Sequence, residues 1–393
     1  MKAQSLTNRH AAALLVLPLL LFMLAFFVWP LGTVMHQAVS DNAVLKVLPL
    51  THRAATGWDG QTLPGPHLEQ ALVSDLRNAE DQQAVGEMVR RLNSAQPGFR
   101  TLIARTQAAA RASDGVLELR TVDPRWAELR YWQTVRGALS PLTDRFLLAS
   151  LDLERDGRGA IVDMASDASA NRAILLRTFA MTATITLACL LLGYPYAVLL
   201  AASTGWRRSL LLGAVLLPLW TSLLVRTTAW FIVLQDNGLL NRLLMLLHLT
   251  DSPVALIFNR TGVIIAMTYV LLPLMVLPIY SVLLSIPRNL MPAAGSLGAR
   301  PLRAFIEVML PLSLRGVSSG VLLVFMSAVG YYITPALIGG PKDQMISSVI
   351  AFYATGAANW GMASALGLVL LLITLVLYAL YQRLSHRQQG ATS

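Results

Sequence analysis

The side chains that could do chemistry are few, and their spacing excludes most enzyme classes. The chain has three lysines, and none follows the glycine-rich loop that binds nucleotide phosphates. Its six histidines lack the spacing of metal ligands, and no serine, histidine and aspartate set forms a hydrolase pattern. Within 174–393 the carboxylates are Asp236, Asp251, Glu307 and Asp343. We therefore predict that the chain is not an enzyme and has no catalytic residue, no metal site and no cofactor.

Composition places the chain in a membrane. Hydrophobic residues make up 55% of it and charged residues 13%, about half the charged share of a soluble protein. Because about 20 apolar residues cross a bilayer as a helix, we expect an all-α, polytopic transmembrane bundle. Prolines inside the apolar stretches predict kinks. The six predicted spans are 11–35, 174–201, 209–234, 262–284, 316–338 and 361–382.

Basic residues predict the orientation of these spans. If the N-terminus is cytoplasmic, the inside segments hold ten Lys or Arg and the short outside loops hold three. Since basic residues concentrate on the cytoplasmic side, we predict that both termini are cytoplasmic. We interpret the first apolar run as an uncleaved signal anchor rather than a signal peptide. The chain then divides into 1–35, an extracytoplasmic insertion 36–173, and 174–393.

The 36–173 insertion is electrically balanced, with 16 Lys or Arg against 17 Asp or Glu. The net charge of +10 therefore comes from the remainder of the chain, where it reflects membrane orientation, and we discard nucleic acid as a partner. The single cysteine, Cys189, lies in the second predicted span. We therefore expect no disulfide in the insertion.

Apolar periodicity predicts that the 36–173 insertion is a folded and mainly helical domain. Residues 67–93 place apolar side chains at helical spacing. Asp123 and Pro124 form a typical N-cap and first-turn pair. We expect 50–66 to be loop and 156–159 to form a turn. The residues of this domain do not indicate its function.

The segment PAAGSLGARPLRAFIEVMLP, at 292–311, lies between two predicted spans on the predicted cytoplasmic side. Pro292 suits the first turn of a short helix, and Gly298 can adopt the left-handed conformation that ends one. Pro301 can open a second short helix, and Pro311 can stop it. The sequence thus predicts a compact helical hairpin whose small residues allow another protein to approach closely.

The spacing of this segment resembles the EAA motif of ABC-importer permeases, in which Glu-Ala-Ala is followed at fixed intervals by Gly, Ile and Leu-Pro. The matching residues are Ala293, Ala294, Gly298, Leu310 and Pro311. Val308 replaces the isoleucine, and Pro292 replaces the glutamate. The resemblance implies that 288–311 is a coupling segment that docks on an ATPase subunit. The alternative is an ordinary loop between helices.

Further stretches, 177–201, 216–241 and 334–350 followed by 359–367, resemble the spermidine/putrescine class of these permeases. The resemblance implies a multi-pass permease of the bacterial inner membrane that is served by two ATP-binding subunits, which bind the ATP. It also implies a second permease subunit, identical or different, and a periplasmic solute-binding protein. The 36–173 insertion departs from the compact permeases of this class.

Five residues are candidates for the solute pathway. We interpret Arg226 as the one charge within a span, where charges face a cavity or a partner, and it could gate the outer end with Asp236. Trp220 could stack on an alkyl-ammonium group. Tyr331 and Tyr332 lie in the span that lines the pathway in the family. The alternatives are a snorkelling arginine, an interfacial tryptophan and hydroxyls bonded to a neighbouring helix.

The predicted function is therefore a transport permease for a small solute, a polyamine according to the resemblance. Permeases of the same family for an opine, a phosphonate or ferric iron are alternatives. A membrane receptor with a periplasmic sensing domain would need a cytoplasmic signalling domain, and the inside segments reach at most about 31 residues. A membrane-embedded transferase would need an acidic pair, which the scarce carboxylates disfavour.

Overall fold

The computed structural model describes residues 15–113, 115–155, 159–165 and 169–390, and of these 384–390 without their side chains. In this part of the chain the regular structure is helical apart from one two-stranded hairpin, which confirms the predicted all-α class. The chain divides into two compact units, Met1–Leu148 and Ala149–Ser393.

The first unit begins with α1, Leu15–Val39, which is long and apolar enough to cross a membrane. Seven shorter helices follow, and we call them together the insertion domain. They are α2 Ala43–Val47, α3 Pro49–Ala55, α4 Pro66–Asn78, α5 Gln82–Ala95, α6 Phe99–Ala112, α7 Leu119–Val122 and α8 Leu129–Ala138. A 3-10 turn, Pro124–Ala127, lies between α7 and α8.

The insertion domain encloses an apolar core with two tryptophans at its centre. Trp126 and Trp132 are fully buried, and their ring centroids lie 4.7 Å apart. Both indole N–H groups have partners, since Trp126 donates to the Thr106 hydroxyl and Trp132 to the Trp126 carbonyl, each at 2.9 Å. Large aromatic side chains with satisfied polar atoms are a strong source of burial energy, so this core explains why the domain folds.

Of two local predictions for this domain, one was wrong and the other is confirmed. The expected loop 50–66 begins with α3, because the buried Asp75 of α4 accepts hydrogen bonds from the N–H groups of Leu50 (3.2 Å) and Thr51 (2.7 Å). The helical spacing predicted over 67–93 is confirmed, and the segment divides into two helices, α4 and α5, because Asp81 caps the start of α5. A distant cap and an internal cap are not visible in apolar spacing alone.

Two other local predictions concern turns. The Asp123 cap is confirmed, since its carboxylate accepts from the Arg125 N–H at 3.1 Å, although it opens a 3-10 turn rather than an α-helix. The predicted turn 156–159 lies mostly outside the described residues; Gly159 itself has φ of +83°, a left-handed conformation that suits a turn.

The second unit holds the remaining elements. Helix α9, Arg145–Ser150, begins in the first unit and ends in the second. Two antiparallel strands follow it, β1 Leu153–Arg155 and β2 Ile161–Asp163. The helices that follow are α10 Asn171–Ala202, α11 Gly205–Trp220, α12 Leu223–Val233, α13 Leu239–Leu246, α14 Arg260–Ser285, α15 Leu290–Ser296, α16 Pro301–Gly330, α17 Ile333–Ile338, α18 Ile346–Gly356 and α19 Trp360–Gly390.

Among the described residues, five helices are long and apolar enough to span a membrane: α1, α10, α14, α16 and α19. A sixth span exists if α11 and α12, which meet at 105°, count as one. The predicted span 209–234 is therefore bent sharply rather than continuous. The predicted span 316–338 is also interrupted, because α16 ends at Gly330 and α17 begins at Ile333.

Helices α10, α14 and α16 form what we call the core bundle. Gly193 of α10 lies against Met275 of α14, so closely that an added Cβ would be 3.0 Å from the Met275 side chain. Gly316 and Gly320 of α16 meet the α14 backbone, with a Cβ on Gly316 only 2.9 Å from the Pro278 carbonyl oxygen. Small residues let membrane helices approach each other in this way.

Candidate functional site

The chain order of these contacts shows which loops share an end of the core bundle. Cys189 and Gly193 of α10 meet Thr268 and Met275 of α14 in the same order, so these helices are parallel. Helix α16 runs antiparallel to α14, as the glycine contacts show. The loops after α10 and α14, together with the start of α16, therefore lie at one end, and the break after α16 lies at the other.

The predicted coupling segment begins with α15, whose end has the geometry expected from Gly298. The Ala299 N–H donates to the Ala294 carbonyl at 3.0 Å, and the Gly298 N–H donates to the Gly295 carbonyl at 2.9 Å. Gly298 has φ of +89°. This is a Schellman end, in which a left-handed residue satisfies the last carbonyls of a helix. A Cβ at Gly298 would meet open space, so the backbone conformation is what requires glycine.

The prediction that Pro311 stops the second short helix was wrong. Helix α16 opens at Pro301 as expected, then widens into a π turn, Phe305–Met309, and continues through Leu310 and Pro311 to Gly330. A proline ring clashes with the carbonyl one turn earlier, and the wider π turn relieves that clash. The segment is therefore a short helix joined directly to a long one rather than an isolated hairpin.

The surface of the coupling segment is apolar and open. Leu297 is 90% exposed and Leu302 is 71% exposed. Pro292 and Ala293 are also exposed, and Ala294 is half-buried. On one side Arg303 donates to Glu307 at 2.8 Å, one helical turn away. Such an exposed apolar tip is typical of a surface that another protein covers.

At the opposite end, α11 and α12 meet at a break that a charged side chain fills. Arg226 of α12 donates from its guanidinium to the Thr221 carbonyl at 2.8 Å and to the Thr221 hydroxyl at 3.3 Å. Thr221 lies between the two helices, so its carbonyl has no helical partner. Arg226 thus satisfies a backbone group that lipid could not.

A second break separates α16 from α17 at Tyr331 and Tyr332. Their carbonyls accept hydrogen bonds from the Ser347 hydroxyl (2.7 Å) and the Ser348 hydroxyl (3.3 Å), both from α18. Irregular backbone at membrane depth requires such partners. These serines, which the sequence did not single out, hold the interrupted helix in place.

The two breaks are neighbours. The hydroxyls of Thr227 on α12 and Thr334 on α17 lie 3.5 Å apart and are buried. The Tyr331 hydroxyl lies close to the Thr334 side chain and in the neighbourhood of Arg226. The structure therefore brings together two of the predicted pathway residues, Arg226 and Tyr331, that are more than a hundred positions apart in the sequence.

The other predicted pathway residues are placed less closely. Tyr332 is 45% exposed beside the second break, and Trp220 is 80% exposed at the end of α11. Asp236 is exposed after α12, and no ion pair between described residues joins it to Arg226. Arg226 bonds Thr221 in this conformation, and a gate of Arg226 with Asp236 stays a prediction.

One charge was overlooked. Arg226 was interpreted as the one charge within a span, but Arg177 lies inside α10. Arg177 is near the ion pair of Arg260 with Asp343, whose atoms are 3.3 Å apart. The signal was available, since Arg177 falls within the predicted span 174–201.

Sequence comparison shows which known proteins the chain is similar to. Residues 191–390 match the family described as binding-protein-dependent transport system inner membrane component. The chain is 36% identical over 212 residues to the spermidine/putrescine transport system permease protein PotB of Escherichia coli (strain K12), covering 54% of this chain and 77% of PotB. It is 31% identical to the inner membrane ABC transporter permease protein YdcU of the same strain, covering 55% of this chain and 72% of YdcU.

A solved structure is also similar. A chain of a bacterial alginate ABC transporter, in complex with an alginate pentasaccharide-bound periplasmic protein, aligns with a TM-score of 0.43 at 19% identity. The alignment covers 54% of this chain and 78% of the other.

Proposed function

The chain belongs to the family of inner membrane components of binding-protein-dependent transport systems, and from this premise we propose that it moves a polyamine, putrescine or spermidine, across the inner membrane. The observation that carries the proposal is the 36% identity to PotB over 77% of that permease. As a member of this family the chain is an ABC transporter permease, and hydrolysis of ATP belongs to partner subunits.

We propose that 288–311 couples the permease to an ATPase. The support is its geometry, namely a short helix with a Schellman end at Gly298, an apolar exposed tip and a direct continuation into the long helix α16. Closure of two ATP-binding subunits on this tip would move α16 and change which side of the membrane the solute pathway opens to. A second permease and a periplasmic solute-binding protein complete the proposed importer, with both termini of the chain cytoplasmic.

The paired helix breaks are the proposed place where solute passes. Discontinuous helices expose backbone and polar groups inside a membrane protein and commonly form transport sites. Tyr331, Tyr332 and Trp220 offer aromatic faces to an alkyl-ammonium group. Arg226 and Arg177 are a specific reason to retain an anionic solute, such as an opine or a phosphonate, as the second candidate.

Uptake by the reconstituted complex tests the proposal. Vesicles containing the permeases, the ATPase and the binding protein are given labelled putrescine, labelled spermidine or an anionic control solute. We expect ATP-dependent uptake of a polyamine and none of the control; uptake of the anion alone would assign the second candidate. Gly298→Arg should insert normally yet abolish this uptake, because arginine resists φ of +89°. Normal uptake by the variant would refute the docking role of this segment.

A further inference from the structure

One tyrosine of the core bundle contacts α16 both at the start of its π turn and just beyond that turn. Tyr194 lies on α10, eight residues before that helix ends. Its ring meets Phe305, the first residue of the π turn, edge-on, with centroids 5.9 Å apart and planes at 83°. Its hydroxyl oxygen lies 2.9 Å from the hydroxyl oxygen of Ser313, just past the turn. Tyr194 therefore spans the widened part of α16.

Either hydroxyl of the Tyr194–Ser313 pair can donate to the other. When Tyr194 donates, Ser313 can at the same time donate to the Leu310 carbonyl, which lies 2.9 Å away. Ser313 is fully buried and Tyr194 is half-buried. Leaving these two hydroxyls without a hydrogen bond at this depth would cost free energy. The bond therefore favours conformations in which α10 and α16 keep their relative position.

The π turn is the point where α16 can change register. The hydrogen bond of a π turn spans one more residue than that of an α-helix, and such turns commonly mark functional sites. The turn Phe305–Met309 separates the exposed coupling tip from the glycine contacts of Gly316 and Gly320 with α14. A force applied at the tip could therefore be absorbed in the turn rather than transmitted to the bundle.

We infer that Tyr194 is a positioning residue for energy coupling, which latches α10 to both sides of the π turn so that α10 moves with the coupling segment. The inference rests on the coupling role proposed above and deepens it. Without the contacts of Tyr194, a force on the coupling segment deforms the π turn and shifts only the nearby part of α16. Helix α10 then does not move with the coupling segment. ATP is then hydrolysed without the full rearrangement of the bundle.

The matched variants are Tyr194→Phe and Tyr196→Phe in the reconstituted complex. Tyr196 lies on the same helix and also makes one hydroxyl hydrogen bond, to the Leu211 carbonyl of α11 at 2.7 Å. Tyr194→Phe should leave ATP hydrolysis close to the wild-type rate but lower solute uptake per ATP about three- to fivefold, the change that one ordinary hydrogen bond makes in an equilibrium constant. Tyr196→Phe should leave this ratio unchanged.

Ser313→Ala tests whether the effect of Tyr194→Phe comes from the hydrogen bond between Tyr194 and Ser313. It should reproduce the Tyr194→Phe loss, and the double variant should lose no more than either single one, because both remove the same bond. Equal ratios for wild type and Tyr194→Phe would overturn the inference. An equal fall in Tyr194→Phe and Tyr196→Phe would also overturn it, since the effect would then be general to α10.

A distance measurement separates this inference from the proposed function. Spin labels are placed at two exposed positions, Leu199 of α10 and Asn289 at the start of the coupling segment, eight residues before the tip residue Leu297, while the buried Cys189 stays unlabelled. On trapping with ATP and vanadate, the distance should stay constant in wild type and change in Tyr194→Phe. A wild-type distance that changes as much as the variant's refutes the latch. A wild-type chain that captures no ATPase refutes the proposed function instead.

Discussion

The insertion domain and the core bundle are both helical, but different forces hold their helices together. The insertion domain has short capped helices around a core of buried aromatic and aliphatic side chains, with ion pairs such as Arg125–Asp123 at its margin. In the core bundle the helices are long and apolar on all sides, and they meet through Gly193, Gly316 and Gly320.

The difference follows from the solvent of each region. In water, removing apolar surface from the solvent drives helices together, so large residues fill the insertion core. In lipid that driving force is missing, and close packing and hydrogen bonds between helices replace it. The bonds of Ser347, Ser348 and Thr178 to backbone groups of the bundle are of this kind.

The largest effect should come from a tryptophan of the insertion core. Trp126→Ala removes a fully buried side chain, and the cavity and lost burial should cost about 4 kcal/mol of the free energy of unfolding of that domain. Trp206→Ala, at a position 72% exposed on α11, is the control and should leave stability almost unchanged. Hydrogen exchange of the full chain in detergent, read on peptides from 99–138, measures the difference. Equal protection in both variants would contradict the assigned core.

A single methyl group should have opposite effects in the two regions. Gly316→Ala places a Cβ 2.9 Å from the Ile279 Cα and the Pro278 carbonyl oxygen, and overpacking of this kind costs about 1–3 kcal/mol. Gly86→Ala, in the middle of α5 where nothing lies within 4 Å, should stabilise its domain by about 0.5–1 kcal/mol. Thermal unfolding of the purified variants compares them, and a bundle that tolerates the alanine at 316 would show that the glycine contact is not close.

The third prediction concerns the ion pairs around Asp123. Arg125, with help from Arg105, lowers the pKa of the Asp123 carboxyl from 3.8 to about 2. The folded state therefore binds this proton less readily than the unfolded state, so the stabilisation is fully present above pH 3.8 and disappears as the pH falls to about 2. Asp123→Asn should cost the insertion domain about 2 kcal/mol at pH 7.

The lower stability of Asp123→Asn relative to the wild type should disappear in acid. Urea unfolding of the full chain in detergent, followed by tryptophan fluorescence at pH 7 and near pH 2, provides the test. Asp163→Asn, which breaks the exposed Arg172–Asp163 pair, should have little effect at either pH. If the cost of Asp123→Asn stayed constant with pH, the ion pairs would not be its cause.

The coupling segment was predicted well where the backbone alone decides the structure. Gly298 and Pro301 end one helix and begin the next as their stereochemistry requires. Pro311 was misjudged because a proline stops a helix only when no neighbouring turn can widen. The π turn at Phe305–Met309 has no sequence signature, since it depends on how α16 packs beside Tyr194 and α14.

The sequence predicted which residues are candidates for the pathway, but it did not predict the contacts that these residues make. Arg226 was predicted because it is a charge within an apolar stretch. Hydropathy does not show, however, that its guanidinium would bond the Thr221 carbonyl rather than Asp236. The serines at 347 and 348 were missed because small hydroxyl residues are common in membrane helices. Their role became visible only with the break at Tyr331 beside them.

The order of residues alone determined the helical class, the membrane location and the ending of α15 at Gly298, because hydropathy and backbone stereochemistry are local properties. The tertiary structure alone decided the sharp bend between α11 and α12, the continuation of α16 through Pro311 and the meeting of Arg226 with Tyr331. Each of these features depends on a group distant in the sequence that bonds a free carbonyl or packs at a contact. A local sequence pattern does not identify that distant group.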